Sequence, residues 1–318
     1  MKKKILICGA SGFIGRNLFE TLSKRNDLDV WGTYLTEKFS DNPNIIRVDL
    51  TQKEEVIRAT KDFDIIIQAA AVTSGAKDII ERPYIHITDN LIMNSLIFQA
   101  AYDNHIKQVI FFSCTVMYPS SKLPAKENDL DLNAPMYEKY FGAGWTKVFM
   151  EKLCEFYSRL GRTKFTVIRH SNIYGPYDKY DLEKSHVFAA TIMKIMNAKD
   201  NKIVVWGAGI EERDLLYVSD LMDFVELVLE KQDYSFDLFN VGLGIAISVD
   251  SLVKKIISLS GKNLAIEYDK TKPTIATKLV LDISKAKEKF GWKPKISLDE
   301  GIKKTLDWYS KNILKSIQ

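Results

Sequence analysis

Short apolar runs alternate with longer amphipathic segments through the first 175 residues of the chain. The runs Lys4–Cys8, Val30–Tyr34, Ile45–Val48, Ile65–Ala69, Gln108–Ser113 and Phe165–Arg169 have the length of strands. Several are apolar throughout rather than alternating, as in strands covered on both faces. Between them Ile14–Arg25, Lys53–Ala59, Thr88–Asn104 and Trp145–Leu160 read as helices. In the last of these, Phe149, Leu153, Phe156 and Leu160 recur on one helical face. Strand–helix alternation of this kind predicts an α/β fold with a doubly wound parallel sheet.

The pattern loosens after Gly175, at Pro176 and the charged stretch from Asp178 to Lys184. Residues 1–175 are expected to form one domain and residues 176–318 a smaller C-terminal one. Segments near 214–241 read as returning to the first, so the division is not a single cut. There is no internal repeat or low-complexity segment.

A chain of 318 residues, 46% of them hydrophobic, can bury a sizeable core without disulfides or a structural metal. Lys+Arg 45 against Asp+Glu 41 leaves a formal charge of +4, too slight and dispersed to point to nucleic acid. Cys8, Cys114 and Cys154 lie far apart and lack metal-ligand spacing. That fits a reducing, cytoplasmic setting with no bound metal. No apolar run approaches the roughly 20 residues of a membrane span.

The first strand runs into Gly9-Ala10-Ser11-Gly12-Phe13-Ile14-Gly15. Gly9 permits a tight turn, Gly12 lets backbone approach a pyrophosphate, and Gly15 allows close helix–strand packing. The helix that follows offers free N–H groups and positive partial charge to phosphates. Gly9, Ser11, Gly12, Phe13, Ile14 and Gly15 are therefore expected to hold a dinucleotide, with Thr33 at the end of the second strand beside them. An acid at that strand end would bind the 2′-hydroxyl of NAD and repel a 2′-phosphate. The segment from Val30 has none until Glu37, which favours NADP, with NAD as the alternative. Arg16, Thr36 and Lys38 are the groups that could meet the extra phosphate.

GxxGxxG is the spacing of the short-chain dehydrogenases/reductases, and further segments resemble their extended, NAD-dependent epimerase/dehydratase subgroup. Ser113-Cys114-Thr115-Val116-Met117-Tyr118-Pro119 resembles the strand end that carries a catalytic Ser or Thr. Asn172-Ile173-Tyr174-Gly175-Pro176 resembles the substrate-facing loop. Val204–Gly209, followed by Arg213–Asp220, looks like the element that grips the nucleotide of a nucleotide-sugar, and Phe290-Gly291-Trp292-Lys293-Pro294 is also typical. Lys152–Glu155, Ser185-His186-Val187 and Val204–Gly207 bring the chain nearest to GDP-fucose synthase-like nucleotide-sugar epimerase/reductases.

The resemblance implies a Rossmann-type cofactor domain followed by a nucleotide-sugar-binding domain. It implies that Asp49 and Leu50 meet the adenine and that Ala69, Ala70 and Ala71 pass beside the cofactor. Asn172 would meet the substrate, Trp206 would pack near the nucleotide, and Arg213 would pair with the pyrophosphate. His186 would act as an acid/base in epimerisation. It further implies a homodimer through the helices 88–104 and 145–160, and a place in surface-polysaccharide synthesis.

At the catalytic centre the sequence departs from this pattern. The subgroup uses a YxxxK pair, in which Lys lowers the Tyr pKa and holds the nicotinamide ribose. Lys147 fits the lysine position, but four residues earlier stands Ala143. Tyr140 would lie about 10 Å from Lys147 on a continuous helix, unless Gly142 and Gly144 allow an irregular start. The Ser/Thr position falls on Cys114, with Ser113 and Thr115 beside it; as a thiolate, Cys114 could serve as a base. The cysteine used in epimerisation by GDP-fucose synthases would fall two residues later, on Val116.

The expected function is NAD(P)-dependent epimerisation and/or reduction of a nucleotide-sugar, expected to be GDP-linked, at a 4-keto centre. Lys147 would tune the site, with Cys114, Thr115, His186, Tyr140 and Glu127 as candidates for proton transfer. A nucleotide-sugar dehydratase is the alternative within enzymes. A cofactor-binding protein or active-site variant, disabled at Ala143, is the alternative outside them.

Overall fold

The computed structural model describes residues 2–121, 123–182, 184–272, 274–275 and 277–316. In chain order the strands are β1 (Lys3–Cys8), β2 (Leu28–Tyr34), β3 (Ile45–Arg47), β4 (Ile65–Gln68), β5 (Gln108–Phe112), β6 (Lys164–His170), β7 (Asn172–Tyr174), β8 (Lys202–Trp206), β9 (Glu212–Tyr217), β10 (Phe236–Val241), β11 (Ala246–Ser248), β12 (Ala265–Asp269) and β13 (Lys278–Leu279). The helices are α1 (Phe13–Leu22), α2 (Lys53–Ala59), α3 (Ala76–Glu81), α4 (Thr88–Asp103), α5 (Phe141–Arg159), α6 (Val187–Met196), α7 (Val218–Lys231), α8 (Val249–Ser260), α9 (Ser284–Phe290) and α10 (Leu298–Asn312).

Seven strands form one parallel sheet in the order β10-β6-β5-β4-β1-β2-β3. The strand order reverses between β1 and β4. A cleft opens there at the carboxyl ends of the strands, where a ligand can enter without disturbing the ladder. Ile5, Leu6, Ile7, Ile66 and Ile67 are fully buried because both faces of the sheet are covered. Leu18, Leu22, Phe224 and Phe239 fill one side; Met93, Ile97, Phe98 and Met150 fill the other. The predicted strands and helices agree with those observed to within one to three residues at most ends.

The chain returns to this sheet late: β10 pairs with β6 in parallel, and α7 packs beside α1. A second apolar centre, around Tyr174, Phe188, Ile192, Leu252, Ile302 and Tyr309, holds α6, α8 and α10 against β8 and β9. Helix α8 is capped by the Ser248 hydroxyl, which accepts the Ser251 N–H, and stops at left-handed Gly261.

Most of the apolar stripe along α5 lies at the surface. Thr146, Met150, Glu151, Cys154 and Ser158 are buried, whereas Phe149 and Phe156 are each 52% exposed and Leu160 also faces solvent. Of the stripe, Leu153 is half-buried and packs against the core, while the other three positions face solvent.

Candidate active site

At the phosphate turn, Gly9 has φ +78°, and a Cβ there would lie 2.6 Å from Ala70 Cα. The turn rests on the backbone that leaves β4, an approach only glycine permits. A Cβ on Gly15 would lie 2.1 Å from the Gly9 carbonyl oxygen, so α1 can begin this close to the turn only without a side chain. Thr33 latches the turn to β2. Its Oγ1 accepts the Gly9 N–H at 2.9 Å and its carbonyl accepts the Ala10 N–H at 2.8 Å. Helix α1 starts after Gly12, and no side chain caps it.

Gly9, Ser11, Gly12, Phe13, Ile14, Thr33, Asp49, Leu50, Ala69, Ala70 and Ala71 all line a cleft of about 720 Å³. The Asp49 carboxylate accepts the Thr51 hydroxyl at 2.6 Å and N–H at 3.0 Å, which holds its pKa below the ordinary value. An uncapped helix N-terminus, a glycine turn and no carboxylate at the end of β2 fit a nicotinamide dinucleotide. Of the groups considered for a 2′-phosphate, Arg16 is engaged elsewhere. It donates to the Phe39 carbonyl at 2.9 Å, pairs with Glu20 at 2.7 Å, and lies 4.1 Å above the Phe39 ring. Arg16, Thr36 and Lys38 are not among the residues lining the cleft.

The chemical end lies at the tip of β5 and the first turns of α5. Lys147 Nζ donates to the Phe112 carbonyl at 3.0 Å, holding the ammonium at the mouth of the strand. One turn further on, Glu151 anchors the helix. It accepts the Ser113 hydroxyl at 2.6 Å and pairs with buried Arg169 at 2.6 Å. Arg169 also donates to the Tyr118 hydroxyl at 2.7 Å and the Glu127 carbonyl at 3.0 Å. This network fixes the register of α5 on the sheet and leaves Ser113 committed. Glu127 belongs behind the site: its carboxylate accepts the Asn240 N–H at 2.7 Å, and it does not line the cleft.

Cys114, Thr115, Tyr140, Ala143, Lys147 and His186 all line the same cleft. Burial pushes the Cys114 thiol up, against the opposing pull of Lys147, so the thiol and not the thiolate is the resident form at neutral pH. Among the described residues the Thr115 hydroxyl has no hydrogen-bond partner.

Helix α5 runs regularly through Gly142 and Gly144, which are there for close packing: side chains at them would meet Ile87 and Met136. Tyr140 sits at the N-cap, after a 3₁₀ turn, with its ring edge-on to Tyr137. Burial pushes its phenol up to about 12, and the charges acting on it are those of Arg213, Cys114 and Tyr137. Tyr140 lies in the cleft at the cap of α5, seven residues before Lys147. His186 forms the N-cap of α6. Burial first, then Lys179, His86 and Arg213, lower its pKa, so its imidazole is neutral at pH 7.

At the far end, Trp206, Arg213 and Asn172 also line the cleft. Asn172 donates to the Asp214 carbonyl at 3.2 Å. Arg213 is partly engaged: it donates to the carbonyls of Thr277 and Ile275, each at 2.7 Å, and so ties that segment over the cleft. Lys194 Nζ stands 5.2 Å from the centre of the Trp206 ring.

Four groups in the cleft carry no motif and were not foreseen. His170 donates from Nδ1 to the Ser171 carbonyl at 2.7 Å, and burial drives its pKa down to about 4. Burial raises Asp178 to about 7. His86 is 8% exposed, with Nε2 unpartnered and Nδ1 at 3.3 Å from the Val72 carbonyl. Glu211 is 7% exposed, with Oε2 unpartnered. Each becomes a site residue only through tertiary placement. Among the described residues there is no cluster of His, Cys, Asp and Glu able to hold a metal, and no helix long and apolar enough to cross a membrane.

A parallel sheet with a glycine turn at its switch point, joined to a lobe with a tryptophan and an arginine over one cleft, defines a dinucleotide-dependent enzyme of nucleotide-linked substrates. The sequence profile of the NAD dependent epimerase/dehydratase family matches residues 5–242, and the chain belongs to that family. It is 28% identical to GDP-L-colitose synthase of Yersinia pseudotuberculosis over 96% of this chain and 97% of that one. To GDP-L-fucose synthase of Escherichia coli K12 it is 27% identical, over 98% of each. Among solved structures, UDP-glucose 4-epimerase of Thermotoga maritima superposes with a TM-score of 0.85 at 26% identity, covering 98% of this chain and 99% of that one.

Proposed function

We propose that this enzyme modifies a GDP-linked sugar by epimerisation and/or reduction at a 4-keto centre, with NADP preferred over NAD. The observation that carries the proposal is one cleft holding the phosphate turn, Lys147, a neutral His186 and three uncharged proton donors, with Trp206 and Arg213 at its other end. The full-length likeness to GDP-L-colitose and GDP-L-fucose synthases supports the GDP-linked substrate. The NADP preference rests on the absence of an acid between Val30 and Thr36.

NADPH, when bound, supplies the hydride for a reduction. Lys147 binds ribose hydroxyls and places a positive charge near the developing oxyanion. A ketone acidifies the neighbouring C–H bond; neutral His186 takes that proton while the electron pair moves onto the ketone oxygen. Return of a proton to the opposite face inverts the carbon. Cys114 and Tyr140, both kept protonated by burial, are suited to give that proton, and Thr115 to donate to the ketone oxygen. These roles stand in for the tyrosine that Ala143 replaces.

We further take residues 1–175, with the return at 214–241, as the cofactor half, and 176–318 as the nucleotide-sugar half, of a cytoplasmic homodimer. Phe149 and Phe156 on α5, with Ile92 on neighbouring α4, form the exposed apolar face that supports the dimer. Three cysteines that are all free support the reducing compartment.

The test is NADPH oxidation against 4-keto GDP-, UDP- and dTDP-sugars in D₂O, with products resolved by mass spectrometry and NMR. Oxidation with the GDP-sugar and deuterium beside the carbonyl are expected. His186→Gln should lower deuterium incorporation roughly 100-fold. An altered sugar without net oxidation would indicate a dehydratase or pure epimerase. Intact cofactor binding with neither change would sink the enzymatic reading.

A further inference from the structure

We infer that Glu211 reads the edge of the nucleotide base and selects guanine; this deepens the GDP-sugar reading and rests on it. Glu211 immediately precedes β9 and lines the cleft together with Trp206, Thr274 and Arg213. Its backbone is fixed, since its carbonyl accepts the Val249 N–H at 2.9 Å. Its carboxylate is not: the residue is 7% exposed, Oε2 is buried without a partner, and no described residue donates to either oxygen. Two of the cations lining the cleft nearby are engaged elsewhere, while Lys272 Nζ stands 5.9 Å from the centre of the Trp206 ring. Lys194 donates to the Val204 carbonyl at 2.8 Å, and Arg213 to the carbonyls of Ile275 and Thr277. A buried carboxylate without donors is unfavourable on its own, and it becomes favourable when a ligand brings N–H groups to it.

The surroundings specify what kind of ligand group that is. Trp206 offers a flat aromatic face for a base. The turn after it is closed by left-handed Gly207, where a Cβ would come within 3.2 Å of Glu211 Oε1. A carboxylate with both oxygens free accepts two parallel N–H bonds, and guanine presents N1–H and the 2-amino group side by side. Uracil and thymine present one N–H between two carbonyl oxygens, which a carboxylate repels. Adenine sets its amino donor beside a ring nitrogen acceptor. Guanine is the base whose edge matches an acceptor-only pair.

The test titrates GDP, IDP (which lacks the 2-amino group) and UDP into the full chain by calorimetry, with NADPH affinity as the control for folding. The wild-type protein should bind GDP about tenfold more tightly than IDP or UDP. Glu211→Gln should weaken GDP by roughly 10- to 100-fold and erase the GDP-to-IDP difference. An unchanged GDP-to-UDP ratio in that variant overturns the role of Glu211 while leaving the GDP-sugar reading standing. Equal wild-type affinities for GDP and IDP overturn the two-bond contact without recourse to any variant. Wild-type preference for UDP overturns the GDP-sugar reading, and the inference with it.

Discussion

At the phosphate end of the cleft the working groups are backbone N–H groups, and the side chains around them are already partnered. Thr33 holds the turn, Asp49 closes its own loop on Thr51, and Arg16 is stacked on Phe39 and paired with Glu20. At the chemical end the working groups are side chains, and burial has moved nearly all of them away from their charged forms. Cys114 and Tyr140 are pushed up, His170 and His186 down, and Asp178 to about 7. The first end binds through geometry that only glycine allows. The second gathers acids and bases that are neutral near pH 7, as proton transfer requires. At position 143 the chain has alanine, and Cys114, Thr115 and Tyr140 line the same cleft.

The largest effect should come from the geometric end. Gly9→Ala adds a Cβ within 2.6 Å of Ala70 Cα, in a residue whose φ is +78°. Backbone strain and overpacking together should cost about 2–5 kcal/mol and displace the turn. Thermal unfolding and NADPH titration check this. A stable variant with wild-type NADPH affinity would show that the turn is not held by that contact.

A smaller effect is expected where α5 meets solvent. Phe149→Glu with Phe156→Glu places charges on two exposed rings and leaves the sheet-facing Met150 and Cys154 untouched. Light scattering at micromolar concentration should show the mass halved to that of one 36.4 kDa chain, with NADPH binding retained. If the wild-type protein is itself monomeric, the apolar stripe has no second copy to meet and the dimer proposal fails.

The phosphate end was legible in the sequence because its code is short-range. A strand, three glycines and a helix lie within residues 5–22, although Thr33 and Ala70, from elsewhere in the chain, hold the turn in place. Lys147 and His186 were legible by resemblance, and they do reach the same cleft. Tyr140 was legible as a residue but not as a position. Seven residues from Lys147, it stands at the cap of α5, which runs regularly through Gly142 and Gly144. Apolar periodicity marks the stripe on α5 but does not say what the stripe covers. Here Glu151, bonded to Arg169 and Ser113, occupies the buried face that a hydrophobic pattern assigns to leucines. His86, His170, Asp178 and Glu211 come from four separate segments, and no spacing rule links them. Only the fold brings them to one cleft.

Asp178 offers the sharpest test of the contrast between the two ends. Its folded pKa, about 7, lies above the ordinary carboxyl value of 3.8, with burial as the first cause and the Lys179 N–H bond opposing it. A raised carboxyl pKa stabilises the fold below pH 3.8, where both states are protonated. That contribution is lost as pH rises, fully so once the pH passes about 7. Asp178→Asn keeps an oxygen to accept the Lys179 N–H, now at 2.7 Å, and has no charge to bury. It should therefore stabilise the cofactor-free protein by about 1–3 kcal/mol at pH 8.5, and by an amount near zero at pH 4. Denaturant unfolding at the two pH values measures the difference. An equal effect at both would mean that Asp178 titrates normally, and that the chemical end carries less desolvated acid than its burial implies. The matching change at the phosphate end, Asp49→Asn, has the opposite sign. There the pKa lies below the ordinary value, chiefly through the Thr51 hydroxyl, so the carboxylate stabilises the fold above the ordinary carboxyl range and its loss should destabilise at pH 8.5.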